Sequence, residues 1–242
     1  PIEIELPNGE MMLLEGRIDR ADICRLEDSL YINVIDYKSG VESFDLSDAW
    51  YGLRLQLLVY LEALLELEQR SSGGKARPGG IFYFRIDDPL IDTQEQLAEV
   101  IQDEIRKKLK LKGLVIKDVN IIKCMDDKID GWSEILPVGI SKNDSVYEKS
   151  SVLGEEEFLA LLGHVRRLVQ DIGMEMLKGN IRIAPVKKGR DTACDYCLYK
   201  GICQFDGRLE DNVYRIIPKL KSEEVIERIS RAGGENRHAK MD

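Results

Sequence analysis

Gly16-Arg17-Ile18-Asp19 and, further on, Asp36-Tyr37-Lys38 set two carboxylates and a lysine beside apolar, strand-like runs. The first run is Met11-Met12-Leu13-Leu14, leading into the glycine and Ile18; the second is Tyr31-Ile32-Asn33-Val34-Ile35. Between them Arg25-Leu26-Glu27-Asp28-Ser29 is turn-like, which predicts a hairpin or a neighbouring pair of strands. Side chains alternate along a strand, so Asp36 and Lys38 project to one side and Tyr37 to the other, its backbone carbonyl still available. With Asp19 alongside, two carboxylates and a carbonyl converge with one ammonium.

That set of groups suits phosphodiester hydrolysis. Hard oxygen ligands select Mg²⁺ or Mn²⁺, which keep several waters and bridge to phosphate oxygens. Such an ion polarises the phosphoryl oxygen and lowers the pKa of a bound water. A lysine beside it orients the attacking water and stabilises charge that builds in the transition state. An Asp-x-Lys at a strand end is common, so its meaning depends on the segments around it. A long helical pattern comes next, with Gln56-Leu57-Leu58-Val59-Tyr60 inside it. Gln56 and Tyr60 are four apart and share one helix face.

Gly-x-x-Asp, then Asp-x-Lys, then Gln-x-x-x-Tyr, in this order, resembles the PD-(D/E)XK nuclease superfamily in its RecB-like branch. Near the C-terminus Cys194-Asp195-Tyr196-Cys197 is followed by Leu198-Tyr199-Lys200-Gly201-Ile202-Cys203. This C-x2-C-x5-C pattern after such a core resembles the iron–sulfur staple of certain RecB-like nucleases. The run from Ile35 to Tyr60, with Phe44-Asp45-Leu46-Ser47 and Tyr51-Gly52-Leu53, is most similar to the nuclease domains of the AddAB-type helicase–nucleases. The likeness extends from about Gly16 to Phe205.

The resemblance implies an α/β, restriction-endonuclease-like core: a central mixed β-sheet flanked by helices, with an insertion over 87–150 and a cysteine segment and tail over 187–242. It implies a Mg²⁺- or Mn²⁺-dependent deoxyribonuclease, an exonuclease that degrades one DNA strand fed to it by a motor, the helicase subunit AddA, in recombinational repair of double-strand breaks. Asp19, Asp36 and the Tyr37 carbonyl become metal ligands. Lys38 positions or polarises the nucleophilic water, and Gln56 and Tyr60 support the site or contact DNA. Cys194, Cys197 and Cys203 become three ligands of a 4Fe-4S cluster whose fourth cysteine lies outside this chain. Two other readings stay open. CRISPR-associated adaptation nucleases combine the same core with four cysteines, although the 71–80 loop and the 87–150 region would be large insertions for them. A non-catalytic DNA- or partner-binding module is the other, against which the intact Asp19, Asp36 and Lys38 argue.

At 242 residues the chain can bury a full core as one domain with an appendage. No apolar run approaches the roughly 18 residues of a membrane span, and no secretory signal is visible. The chain starts at Pro1 and enters directly into a strand-like segment, as expected of a piece of a longer protein. A net charge of -9 argues against a generally basic coat but not against a local basic groove. Arg106-Lys107-Lys108-Leu109-Lys110 and Lys187-Lys188-Gly189-Arg190 are basic runs expected to be solvated surface. Five cysteines form no obvious disulfide framework, which fits a reducing, cytoplasmic compartment, and Cys24 and Cys124 read as ordinary residues.

Periodicity predicts one helix over Asp45–Gln69 capped by Asp45 or Ser47, a flexible loop over Ser71–Gly80, and a third strand over Ile81–Ile86. It also predicts a helix over Thr93–Lys110 and a long amphipathic helix from Glu155 to about Leu177. The latter carries Phe158, Leu161, Leu162, Val165, Leu168, Val169, Ile172 and Met176 in one stripe. Leu114–Ile116 and Val119–Ile122 read as short strands or irregular chain, Val138–Ser151 as polar and aperiodic, and Ile181–Val186 as extended. His164 lies beside the stripe as a structural or exposed residue. After Phe205 the charged chain either wraps the core or frays.

Overall fold

The computed structural model describes residues 2–40, 42–72, 75–91 and 98–238. In chain order the first half holds strands β1 (Ile2–Glu5), β2 (Met11–Leu14), β3 (Arg20–Leu26) and β4 (Ser29–Lys38), helices α1 (Leu46–Trp50) and α2 (Gln56–Ser72), and β5 (Lys75–Arg85). Then come α3 (Ala98–Leu109), β6 (Lys112–Ile116), α4 (Val119–Met125), the short strands β7 (Gly131–Trp132), β8 (Gly139–Ile140) and β9 (Val152–Leu153), and α5 (Glu155–Leu177). A small C-terminal lobe of β10 (Val186–Lys188), β11 (Asp191–Thr192), α6 (Lys200–Cys203) and β12 (Arg215–Ile216) precedes α7 (Ser222–His238).

The central sheet is mixed, in the order β3-β4-β5-β6-β9. β3 runs antiparallel to β4, β4 parallel to β5, β5 antiparallel to β6, and β6 parallel to β9. β4 is buried from Leu30 to Asp36 because both faces of the sheet are covered. Ile32 and Val34 pack towards α2 and α5, together with Ile81, Leu57, Leu61, Phe158 and Leu161. Ile35 packs on the opposite face with Phe82, Val115, Ile122, Leu136 and Val138.

The hairpin before Asp36 is real, but its first arm is not the one expected. Met11–Leu14 pairs with β1, and β3, beginning just after Asp19, is the partner of β4, turning at Glu27 and Asp28 with Ser29 opposite Leu26. Two runs share the strand pattern here, and Met12 of the first packs instead against α5, close to Gly173.

The single helix expected over Asp45–Gln69 is two. Gly52 (φ 82°) and Arg54 (φ 53°) break the backbone between α1 and α2, while both helices bury side chains in the same core, so the apolar period runs across the break. Asp45 is the cap, accepting the Ser47 N–H at 2.8 Å. The break makes Gln56 the first residue of α2, turned towards the end of β4.

The loop expected over 71–80 is strand from Lys75. Arg77-Pro78-Gly79-Gly80 has turn composition, yet the register shifts between Ile32 and Asn33 of β4 to accommodate it, a bulge that tolerates both the proline and the glycine. Leu114–Ile116 is strand, within β6, but Val119–Ile122 is the start of α4, capped by Asp118, which accepts the Asn120 and Ile121 N–H groups. The stretch 87–150 therefore contributes β6 to the central sheet itself. Part of the Thr93–Lys110 helix falls outside the described residues, and α3 covers the rest. Val138 and Ile140, in the aperiodic stretch, are buried. The stripe of α5 is buried from Phe158 to Val169, whereas Ile172 and Met176 are exposed.

Cys24 and Cys124 are not ordinary residues here. Their Cα atoms are 6.8 Å apart and they are joined as a disulfide between β3 and α4, across a separation of 100 residues that leaves no local sequence signal.

The charged C-terminal chain wraps the core. Val225 and Ile229 of α7 are buried against the main cluster, and Leu220 N–H donates to Ser47 Oγ at 3.1 Å. His164 of α5 stacks on Trp50 of α1 with ring centroids 4.4 Å apart, and its Nε2 lies 3.1 Å from the Trp50 carbonyl. The carbonyl only accepts, so Nε2 donates. Burial holds the His164 pKa below the 6.5 of a free histidine. In the window below about 6.5 the unfolded chain therefore binds the proton more readily than the folded one, and this contribution to stability is whole above that pH and shrinks as pH falls. Denaturant melts between about pH 7 and 5 are expected to show a steeper loss for the wild type than for His164→Phe, which keeps the stack; equal slopes would remove His164 from the acid response.

Candidate active site

The end of β4 carries the site because the strand leaves the core there. Asp36 is 3% exposed, Tyr37 is open to solvent and Lys38 is half-buried. As alternation requires, Asp36 and Lys38 share the face of Ile32 and Val34, which is the face covered by α2. Asp36 Oδ2 and Lys38 Nζ are 2.5 Å apart. The buried carboxylate and the ammonium are thus held together by charge at close range.

Lys38 Nζ also donates to Gln56 Oε1 at 3.3 Å, and Gln56 Nε2 donates to the Tyr60 hydroxyl at 3.2 Å. The expected helix-face pair is thus a relay from α2 to the lysine. Lys38 further lies 5.6 Å from the centroid of the Tyr83 ring. Its pKa is raised above the ordinary 10.5, chiefly by the Asp36 contact and against the opposing effect of burial. A raised lysine pKa stabilises the fold at every pH below 10.5, and that contribution fades only as pH climbs through the folded value. Burial likewise raises the Tyr83 hydroxyl pKa. Tyr83 was missed in the sequence; it sits beside Asp36 in the β4–β5 register, a pairing no local pattern announces.

Asp19 immediately precedes β3. Its Oδ2 accepts the Tyr37 N–H at 2.9 Å, which ties it to the end of β4 next to Asp36. Gly16 has a separate reason to be glycine. A Cβ there would stand 2.8 Å from Tyr60 Cε1 and 3.1 Å from its hydroxyl, so the Gly-x-x-Asp stretch makes room for the Tyr60 ring as it delivers Asp19.

Among the described residues no three His, Cys, Asp or Glu side chains form a group able to hold a metal ion. Asp19 and Asp36 are two hard oxygen donors brought together at the end of β4, and this fits Mg²⁺, which is commonly held by one or two carboxylates plus waters and substrate phosphate. The cysteines do not fit a cluster as arranged. Cys194 is half-buried, Cys197 and Cys203 are exposed, all three are free, and they do not draw together into a ligand group. A cavity of about 660 Å³ lined by Asn33, Ile35, Phe82 and the Cys24–Cys124 pair lies on the other face of the sheet, away from Asp36 and Lys38.

The chain belongs to the PD-(D/E)XK nuclease superfamily, whose pattern matches residues 1–204. It is 56% identical over 232 residues to the B subunit of the ATP-dependent helicase/deoxyribonuclease of Alkaliphilus metalliredigens, 96% of this chain and 20% of that protein. The protein of the same name from Alkaliphilus oremlandii is 54% identical over 229 residues (95% and 20%), and that of Clostridium novyi 47% over 237 residues (98% and 21%). The chain thus spans about one fifth of the length of these curated relatives.

Gly16→Ala is expected to push the Tyr60 ring aside and break its contact with Gln56, costing about 1–3 kcal/mol as overpacking. In a double-mutant cycle with Tyr60→Ala the penalty should largely vanish. Full additivity in denaturant melts would show that Gly16 answers to something other than Tyr60.

Proposed function

We propose that this chain is the nuclease domain of an AddAB-type helicase–nuclease: a Mg²⁺-dependent deoxyribonuclease that hydrolyses a DNA strand delivered by the helicase subunit AddA during processing of double-strand ends for recombinational repair. The observation that supports this most is the buried Asp36 carboxylate at the end of β4, next to Asp19 and paired with a lysine that α2 holds through Gln56. The names of the relatives favour this reading over a CRISPR-type adaptation nuclease.

In this reading Asp19, Asp36 and the Tyr37 carbonyl hold the divalent ion. When bound, the ion supplies Lewis-acid polarisation of a phosphoryl oxygen and a water of lowered pKa. Water oxygen forms the new P–O bond and gives up a proton to solvent, the P–O bond to the departing sugar breaks, and the departing oxygen takes a proton from solvent. Lys38 stays protonated because Asp36 raises its pKa, so it orients water and offsets charge on the phosphoryl oxygens rather than taking the proton as a base. Gln56 keeps the ammonium aimed, and Tyr60 keeps Gln56 aimed.

Lys38→Ala is expected to abolish cleavage by the full-length protein with saturating Mg²⁺ while leaving DNA affinity nearly intact, since the loss falls on turnover. Unchanged cleavage would assign the role to another group, and an equal loss of affinity would make Lys38 a phosphate anchor instead.

We infer from their C-x2-C-x5-C spacing that Cys194, Cys197 and Cys203, which do not draw together in this chain, become its share of a 4Fe-4S site only when the rest of the full-length polypeptide gathers them. Their spacing and their freedom from disulfides support this. Full-length protein purified without oxygen should contain iron and acid-labile sulfide, both lost on Cys197→Ala; stoichiometric zinc without sulfide would refute the cluster.

A further inference from the structure

The row of side chains that begins with Asp36 continues across two more strands. Asp36 of β4 is in register with Tyr83 of β5, and Tyr83 with Lys112 of β6. The packing of β6 agrees: Leu114 and Ile116 join the cluster of Val34 and Ile81, whereas Val115 joins Ile35 and Phe82 on the far face. Lys112, two residues before Leu114, therefore shares the face of Asp36 and Lys38. It lines one small pocket with Lys38, Glu42 and Tyr83.

The other cations at that pocket are engaged. Lys38 pairs with Asp36, Arg85 with Asp87, Lys108 donates to the Leu90 carbonyl and Lys110 to the Ser133 carbonyl. Lys112 is only half-exposed, and among the described residues its ammonium has neither an ion pair nor a hydrogen bond. Lys112 thus brings to this row a cation whose charge no neighbouring protein group balances among the described residues. Its backbone is nonetheless held tightly: a Cβ at the next residue, Gly113, would stand 1.9 Å from the Ile81 carbonyl oxygen, so only glycine permits this approach of β6 to β5.

We propose that Lys112 is a substrate-binding residue, which anchors a phosphate of the DNA strand next to the one being hydrolysed and so sets the strand's register over Asp36 and Lys38. The proposal rests on the phosphodiesterase reading of the site. Two inter-strand spacings, roughly 10 Å, separate the backbones of β4 and β6. That distance suits a neighbouring phosphate, and the phosphate supplies the missing counter-charge.

The test uses full-length protein, Mg²⁺ and a single-stranded oligonucleotide. Lys112→Gln is expected to raise KM about tenfold, equivalent to about 1.4 kcal/mol, with kcat nearly unchanged. It should also flatten the slope of log affinity against log salt by about 0.7, the loss of one phosphate contact on a single strand. Lys112→Arg should restore both. Unchanged KM and salt slope in Lys112→Gln, while the wild type cleaves, would overturn the anchor and leave the active site standing. A fall in kcat at constant KM would do the same, as would equal damage from Lys112→Arg. A wild type that does not cleave at all would instead sink the phosphodiesterase reading, and the anchor with it.

Discussion

A carboxylate buried at 3% exposure within 2.5 Å of an ammonium is the constraint around which the rest of this fold is arranged. Neither charge belongs in a protein interior alone, and removing one would strand the other. The pair therefore demands a rigid strand, which β4 provides by being hydrogen-bonded on both edges and covered on both faces. It also demands polar support on the covered side, which Gln56 provides from the first turn of α2. A helix break, with two residues at positive φ, puts Gln56 there.

The two faces of the sheet are used differently. On the face of α2 and α5 the apolar core runs to the very end of β4 and then gives way to Asp36, Tyr83 and Lys112 in one row. On the other face α4 and the short strands β7 and β8 close over Ile35 and Phe82, and the Cys24–Cys124 disulfide ties α4 to the edge strand β3. Since β3 begins next to Asp19, the covalent tie and the Asp19–Tyr37 contact both steady the edge strand against β4. The C-terminal lobe is linked to the same region by charge: Lys188 pairs with Asp45 and Asp48 of the α1 entry, and Arg54 bridges Asp48 to Glu42. Tyr196, Leu198 and Ile202 of that lobe stay exposed.

The pairings of Asp36 with Lys38 and of Gln56 with Tyr60 were legible in the amino-acid sequence because each depends on short-range geometry, whereas Asp19 reaches the end of β4 through a contact across 18 residues. Strand alternation puts Asp36 with Lys38, helix spacing puts Gln56 with Tyr60, and the structure joins the two pairs by hydrogen bonds. The long α5 was legible through its 3.6-residue period, whereas the mixed sheet was expected from the family resemblance. What local pattern alone determined was thus the long helices and strands with their buried faces and the residue types brought to the end of one strand, and not the helix break at Gly52 and Arg54, the start of β5 or the helix α4.

Tertiary structure alone decided which strand pairs with which. Met11–Leu14 and Arg20–Leu26 both carry a strand pattern fit to pair with β4, yet Met11–Leu14 pairs with β1 and packs against α5, far away in sequence. It turned Arg77-Pro78-Gly79-Gly80 into strand because β5 bulges at Gly79 as it pairs with β4, joined Cys24 to Cys124, and folded the charged tail over α5 as a helix that buries Val225 and Ile229. It also brought Tyr83 and Lys112 beside Asp36. Register across a sheet is a contact between distant segments, set by how whole faces pack, and one strand's sequence carries only its own alternation and not its neighbour's position.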